Sequence, residues 1–173
     1  KSWKQMFANL TTVEQLDPNH VDAQIKLGRL YLLGGKLDEA TTRADKALSL
    51  KPESFDGRIL KASILAKQQK FEEASTLLAE VSKDYPDHKD ILSLEILILK
   101  DKGELPAALA KTKQAVEKYP EDMSLRLIEL SLYNDMKDYR GMADVYEDIL
   151  ARKPNEREVV MSYAKLLVSK LDS

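Results

Sequence analysis

The fold is decided by residues 21–54, which read VDAQIKLGRLYLLGGKLDEATTRADKALSLKPES. Apolar residues recur at spacings of three and four in the first half, which predicts an amphipathic helix. The second half carries a row of small residues on one face of a second helix, where small side chains allow close helix approach. These are Ala40, Ala44 and Ala47. The Gly34-Gly35 pair predicts a turn between two short helices, and Pro52 ends the second.

The same pattern returns along the whole chain. Its clearest marker is a proline every 34 residues, at Pro18, Pro52, Pro86, Pro120 and Pro154. A fixed period of this length indicates a repeat architecture, in which each unit packs only against its neighbours. Because proline cannot continue a helix, each of these residues separates one helix pair from the next. The predicted fold class is all-α, a solenoid of antiparallel helix pairs.

The proline spacing divides the chain into full and half repeats. The four full repeats are 21–54, 55–88, 89–122 and 123–156. Residues 1–20 are predicted to be a half repeat that holds the second helix of a pair, and residues 157–173 are predicted to be a half repeat or terminal helix. In each repeat the first helix is called A here, the second is called B, and position 1 is the third residue after the proline. Both ends cut a repeat in half, so we expect this solenoid to be part of a longer protein.

Repeat 1 resembles the tetratricopeptide repeat, whose signature is a Trp/Leu–Gly–Tyr series, followed by an alanine, an aromatic residue, a second alanine and a proline. The matching residues of repeat 1 are Leu27, Gly28, Tyr31, Ala40, Ala44, Ala47 and Pro52. Repeats 2 and 3 keep Ala62, Leu65, Phe71, Ala74 and Pro86, then Leu99, Gly103, Ala108, Ala115 and Pro120. Repeat 4 keeps Tyr133, Tyr139 and Pro154 but has Leu130 and Met142 at small positions. The resemblance implies a right-handed superhelix whose A helices line a concave groove.

Composition excludes several classes of function. The 27 basic and 29 acidic residues are scattered along the chain and give a net charge of −2, which disfavours nucleic acid as a partner. The chain has no cysteine, so disulfides, zinc–thiolate sites and thiol catalysis are excluded. No apolar run reaches membrane-spanning length, so this segment is not expected to contact a membrane. The repeat style looks most like bacterial scaffold proteins, and cytoplasm and periplasm fit equally well, so the localisation stays open.

Residues of the types that catalyse reactions or bind metals form no recognisable cluster in the sequence. His20 and His88 are the only histidines, and each stands at the last position of a repeat, which indicates turn residues. No phosphate-binding glycine loop or nucleophile elbow occurs, and the carboxylates flank helix starts, where they offset the helix dipole. We therefore expect no catalytic residue, no metal and no cofactor, and hence no enzymatic activity.

The predicted partner-binding residues lie at positions 2, 5 and 9 of the A helices, which share one helical stripe. They are Asp22, Ile25, Arg29, Asp56, Ile59, Ser63, Asp90, Ser93, Leu97, Leu127, Ser131, Met161 and Lys165. An apolar stripe in a groove indicates an interaction site, although packing beneath neighbouring helices is the alternative for each residue. The acidic row at position 2 either selects a basic partner or completes capping boxes that start at Asn19, Glu53, Asp87, Glu121 and Asn155.

The expected function is a non-catalytic scaffold or adaptor that holds a protein or peptide segment in the groove. The alternative is an assembly module that acts through its ends or convex face. The terminal helices carry more apolar residues at helical spacing than the polar caps of a solenoid would. These residues are Trp3, Phe7, Leu10 and Val13 at one end and Val159, Val160, Tyr163, Leu166 and Leu167 at the other. We therefore expect one of two explanations for these helices. Either the chain continues beyond them, or they form a homo-oligomer with another copy.

Overall fold

The computed structural model describes residues 3–171. Residues 1–2 and 172–173, which belong to the predicted half repeats, lie outside the described residues. Within 3–171 the chain forms ten α-helices and a final π-helical turn, so the all-helical prediction is confirmed. The helices are α1 (Trp3–Leu16), α2 (Val21–Leu33), α3 (Leu37–Leu50), α4 (Phe55–Lys67), α5 (Phe71–Asp84), α6 (Lys89–Asp101), α7 (Leu105–Lys118), α8 (Met123–Asp135), α9 (Tyr139–Arg152) and α10 (Arg157–Leu166), and the turn is Leu167–Leu171.

The helix starts follow the 34-residue period of the prolines. The A helices α2, α4, α6, α8 and α10 begin at Val21, Phe55, Lys89, Met123 and Arg157. The B helices α1, α3, α5, α7 and α9 begin at Trp3, Leu37, Phe71, Leu105 and Tyr139. Both helix types therefore keep one register through the described chain, and every residue can be assigned a repeat position.

Residues 1–94 form one compact unit and residues 95–173 form another, with the boundary inside α6. The core of the first unit joins α2, α3 and α4. Ala40, Ala44 and Ala47 are fully buried there, as their small-residue row predicted. The approach is so close at Gly28 that a Cβ atom would lie 2.6 Å from Cδ2 of Leu60.

The core of the second unit lies between α8 and α9 and contains larger side chains. Its buried members are Leu130, Tyr133, Val145 and Ile149. Tyr133 holds the same position in α8 that Tyr31 holds in α2, counted from the helix start. Its ring fills the space beside Gly141, where a Cβ atom would overlap it. Glycine at 141 is therefore a packing requirement of this pair of helices.

The N-cap residues of the A helices lie one residue later in the chain than the capping boxes predicted. His20, Ser54 and Asp122 are the N-cap residues, and their side chains accept hydrogen bonds from the amides of Ala23, Gly57 and Leu125 at 3.3, 3.2 and 3.4 Å. Asn19, Glu53 and Glu121 precede them within the proline turn, so the prediction that these three are caps is wrong. The turn closes through the amide of residue 20, 54 or 122, which places that residue, in extended conformation, at the helix start.

The A helices of all four full repeats end in the same way. Position 15 has a left-handed backbone in each, with φ of 72° at Gly35, 61° at Gln69, 81° at Gly103 and 58° at Lys137. The next amide donates to the carbonyl five residues earlier, at 2.9 Å, in every repeat. This is the Schellman arrangement, which favours glycine because a side chain is strained at positive φ.

We therefore expect Gln69→Gly and Lys137→Gly each to raise the free energy of unfolding by about 0.5–1 kcal/mol. Urea denaturation followed by circular dichroism measures the change. Gly103→Gln is the matched reverse variant and should lower the free energy of unfolding by a similar amount. A Cβ atom added at residue 103 would have no other atom within 4 Å, so the substitution adds only backbone strain. A gain from Gly103→Gln would contradict the prediction.

Candidate functional site

In residues 1–94 the apolar members of the predicted stripe are buried, and only its polar members reach the surface. Ile25 and Ile59 are only 4% and 8% exposed, so for these two residues the alternative of packing beneath neighbouring helices applies. Ile25 belongs to the core cluster that includes Leu60 and Ile64 of α4. A partner therefore meets little of either side chain.

The polar members of the stripe in this unit are partly paired with each other. Arg29 and Asp56, both predicted partner residues, form an ion pair at 2.5 Å between α2 and α4. Ser63 is half-buried and its hydroxyl donates to the carbonyl of Ile59 at 2.8 Å. Ser93 is also half-buried, whereas Asp22 and Asp90 are exposed. The face is thus charged rather than apolar.

The acidic row is partly brought together by the proline turns. Asp22 and Asp56 both line an open cleft of about 640 Å³, with Asp17 and Glu53 from the adjoining turns. Phe55 and Tyr85 form its aromatic side, with ring centroids 4.7 Å apart. The carboxylates of Asp22, Asp56, Asp90 and Glu158 all lie in first helical turns, where they offset the helix dipole.

In residues 95–173 the same stripe is open and apolar. Leu97, Leu127 and Met161 are 42%, 60% and 64% exposed, on α6, α8 and α10. These three side chains are called the apolar face below. Leu127 and Met161 hold the position that Ile25 and Ile59 hold in the first unit. The other predicted residues are Ser131, which is half-buried, and Lys165, which is exposed.

Lys100 fixes the neighbouring A helices on this side of the second unit. Its ammonium group on α6 donates to the hydroxyl of Ser131 at 2.5 Å and pairs with Asp135 at 3.0 Å, both on α8. Leu97 precedes Lys100 by one helical turn and Leu127 precedes Ser131 by one turn, so the two leucines flank this bridge. Lys100 was not among the predicted partner-binding residues. The only sign of its role in the sequence is that a lysine replaces the apolar residues Leu32 and Ala66 of repeats 1 and 2.

A buried ionic cluster supports α8 from the opposite side. Arg126 donates to Glu129 at 3.1 Å and also pairs with Asp148 of α9. Arg126 and Glu129 side chains are 12% and 6% exposed. Nearby, Lys113 of α7 has a raised pKa, mainly because it is hydrogen-bonded to Tyr133, with a further contribution from the charges of Glu129 and Asp138. The cluster holds three helices together and leaves the apolar face on the outside.

The histidines have a structural role in the described residues, as the sequence predicted. Nδ1 of His20 accepts from the amide of Ala23, and Nδ1 of His88 accepts from the amide of Asp90 at 3.2 Å. Across residues 3–171 no group of three or more His, Asp or Glu side chains is arranged to hold a metal ion. None of the helices in that range has the length and apolar character needed to span a membrane.

Comparisons with known proteins agree with the repeat pattern. Residues 35–95 match the tetratricopeptide repeat family model. A thermophilic tetratricopeptide repeat protein of Thermus thermophilus aligns over 94% of this chain and 89% of its own, with a TM-score of 0.76 and 20% identity. PilF of Pseudomonas aeruginosa aligns over 95% and 82%, with a TM-score of 0.66 and 19% identity.

A third solved structure is YrrB, described as a tetratricopeptide repeat protein with an unusual peptide-binding site. It aligns over 92% of this chain and 82% of its own, with a TM-score of 0.59 and 16% identity. No curated protein sequence matches the chain. Residues 35–95 thus match the tetratricopeptide repeat in their sequence, and the chain shares the α-solenoid fold of these solved structures, as its prolines predicted.

Proposed function

We propose that this protein is a non-catalytic interaction module that binds a segment of a protein partner on the apolar face of residues 95–173. The observation that carries the proposal is the exposure of Leu127, which at 60% far exceeds that of its repeat equivalents Ile25 and Ile59. The tetratricopeptide fold is typical of protein-binding modules, and an open row of large apolar side chains marks an interaction surface.

The energetics favour an apolar segment as the ligand. Burying a leucine or methionine side chain completely contributes roughly 1.5–3 kcal/mol, in proportion to the area removed from water. Leu127 and Met161 expose more than half of their surface and Leu97 somewhat less, so these side chains have much of that contribution still to gain. The polar groups beside them, Ser131 and Lys165, would orient the backbone or an acidic side chain of the segment.

A peptide selection tests the proposal with ligands of defined sequence. A random peptide library displayed on phage is selected against the protein, and the enriched peptides are measured by fluorescence anisotropy. We expect them to contain apolar side chains and to bind at least about tenfold more weakly to Leu127→Glu, because a charge must then be buried against them.

The matched control is Ala107→Glu, which adds the same charge at an exposed site on the B helix α7. Peptides that bind the apolar face should be insensitive to it. Circular dichroism must show the same helicity and melting temperature for Leu127→Glu as for the unchanged protein. Enriched peptides that bind Leu127→Glu as tightly as the unchanged protein would place the binding site elsewhere.

A further inference from the structure

We propose, on the basis of the function proposed above, that the segment bound on the apolar face is extended where it passes Ser131 and Lys100. One of its main-chain carbonyl oxygens accepts hydrogen bonds from these two side chains. The bound group is thus a neutral acceptor of the peptide backbone, and the two donors select for the conformation that presents it.

The hydroxyl of Ser131 is bonded differently from that of its repeat equivalent. Ser63 holds the same position, 9, in α4, and its hydroxyl donates to the carbonyl of Ile59, one turn earlier, at 2.8 Å. The hydroxyl of Ser131 instead accepts from the ammonium group of Lys100 at 2.5 Å, and within residues 3–171 it donates to no acceptor. Because a serine hydroxyl can accept and donate at the same time, its proton remains available to a ligand.

Lys100 offers a second donor at the same place. An ammonium group carries three N–H bonds, and Ser131 and Asp135 take two of them. The side chain of Lys100 is 27% exposed, so its remaining N–H can be reached from the surface. A single acceptor atom beside Ser131 can therefore receive hydrogen bonds from both side chains.

The charges around these donors favour a neutral acceptor. Asp135 lies 3.0 Å from the ammonium group of Lys100 and offsets its positive charge. A ligand carboxylate would be attracted by Lys100 and repelled by Asp135, so it would gain little from binding here. A carbonyl oxygen has no net charge to be repelled, and every residue of a polypeptide carries one. The main-chain carbonyl is therefore the acceptor that fits this place.

The two leucines indicate the conformation of the bound segment. Leu97 and Leu127 each stand one helical turn before a donor residue, so a segment that covers both leucines brings its main chain over the donors. In an α-helix all carbonyls before the last four are bonded to the helix's own amides, and a helix lying across the leucines has none to offer. An extended segment keeps its carbonyls free, and its alternate side chains can still cover the leucines.

A cycle of paired changes in peptide and protein tests this inference. Peptides enriched by the selection described above are synthesised with one main-chain amide at a time replaced by an ester, whose carbonyl is a weaker acceptor. Fluorescence anisotropy measures their affinity for the unchanged protein and for Ser131→Ala. We expect one ester to weaken binding to the unchanged protein about threefold to tenfold, and binding to Ser131→Ala less than about twofold, because the hydrogen bond is already lost there.

The matched control is Ser124→Ala, which removes an exposed hydroxyl from the same helix, α8. The ester should weaken binding to this variant as much as binding to the unchanged protein. Lys100→Met removes the second donor and should reduce the effect of the same ester. Circular dichroism must show that Ser131→Ala keeps its helicity and melting temperature, which we expect because Lys100 retains Asp135 as a partner.

Three results would overturn the inference. The first is an ester scan in which no position is coupled to Ser131, so that each ester has the same effect on both proteins. The second is coupling between Ser131 and an Asp or Glu side chain of the peptide, which would make a carboxylate the acceptor. The third is a gain in affinity when a side-chain staple fixes the peptide as a helix.

The proposed function fails by a separate measurement. If the enriched peptides bind Leu127→Glu as tightly as the unchanged protein, they do not occupy the apolar face. If they lose affinity for Leu127→Glu and yet show no ester coupled to Ser131, the apolar face is the binding site and only the extended, carbonyl-bound conformation is wrong.

Discussion

Ile59→Glu is expected to lower the free energy of unfolding by about 4 kcal/mol or more, because it places an unpaired charge in an apolar core. Ile59 is 8% exposed and lies on α4, which packs against both α3 and α5. Urea denaturation followed by circular dichroism should show a large shift of the midpoint, or a loss of helical signal without denaturant.

Leu127→Glu is the matched variant, since it introduces the same residue at the same repeat position on α8. Leu127 is 60% exposed, so its substitution should change the free energy of unfolding by no more than about 0.5 kcal/mol. The contrast between the two variants separates a core position from a surface position. Equal destabilisation by both would show that Leu127 is also core and would remove the basis of the proposed function.

Arg126→Met is expected to lower the free energy of unfolding by about 3 kcal/mol, because it removes the ion-pair partner of a buried carboxylate. Arg126 donates to Glu129, whose side chain is only 6% exposed, and methionine cannot replace that hydrogen bond. The loss of stability should lie near the lower end of the range for broken buried ion pairs, because Lys113 still offers Glu129 a positive charge nearby. The two groups are close enough for the charge of Glu129 to contribute to the raised pKa of Lys113. Chemical denaturation measures the change.

The double variant Arg126→Met/Glu129→Leu distinguishes a lost ion pair from a lost side-chain volume. With both charges removed, no buried carboxylate of this pair is left without its partner, and Asp148 keeps Arg152 as a partner at 3.4 Å. The double variant should therefore recover most of the stability that Arg126→Met loses. If it is as unstable as the single variant, the cluster acts through packing alone and the explanation given for Arg126 fails.

Turn and helix-end chemistry is local, and this part of the protein was predictable from its residues. Proline cannot continue a helix, so five prolines at a constant interval were enough to predict the helix pairs and their register. The glycines at 35 and 103 likewise marked the left-handed ends of A helices. The left-handed backbone at Gln69 and Lys137 could not be predicted from the sequence, because neither residue favours a positive φ. The surrounding turn imposes this conformation on them at a cost in free energy.

The exposure of the predicted site residues was decided only by tertiary packing. Ile25, Ile59, Leu127 and Met161 are all large apolar residues at position 5 of an A helix, and the chain pattern treats them alike. Two are buried and two are exposed, because the side chains that cover a given position come from other helices. Periodicity in a sequence determines which face a residue occupies, whereas the packed neighbours determine whether that face is free.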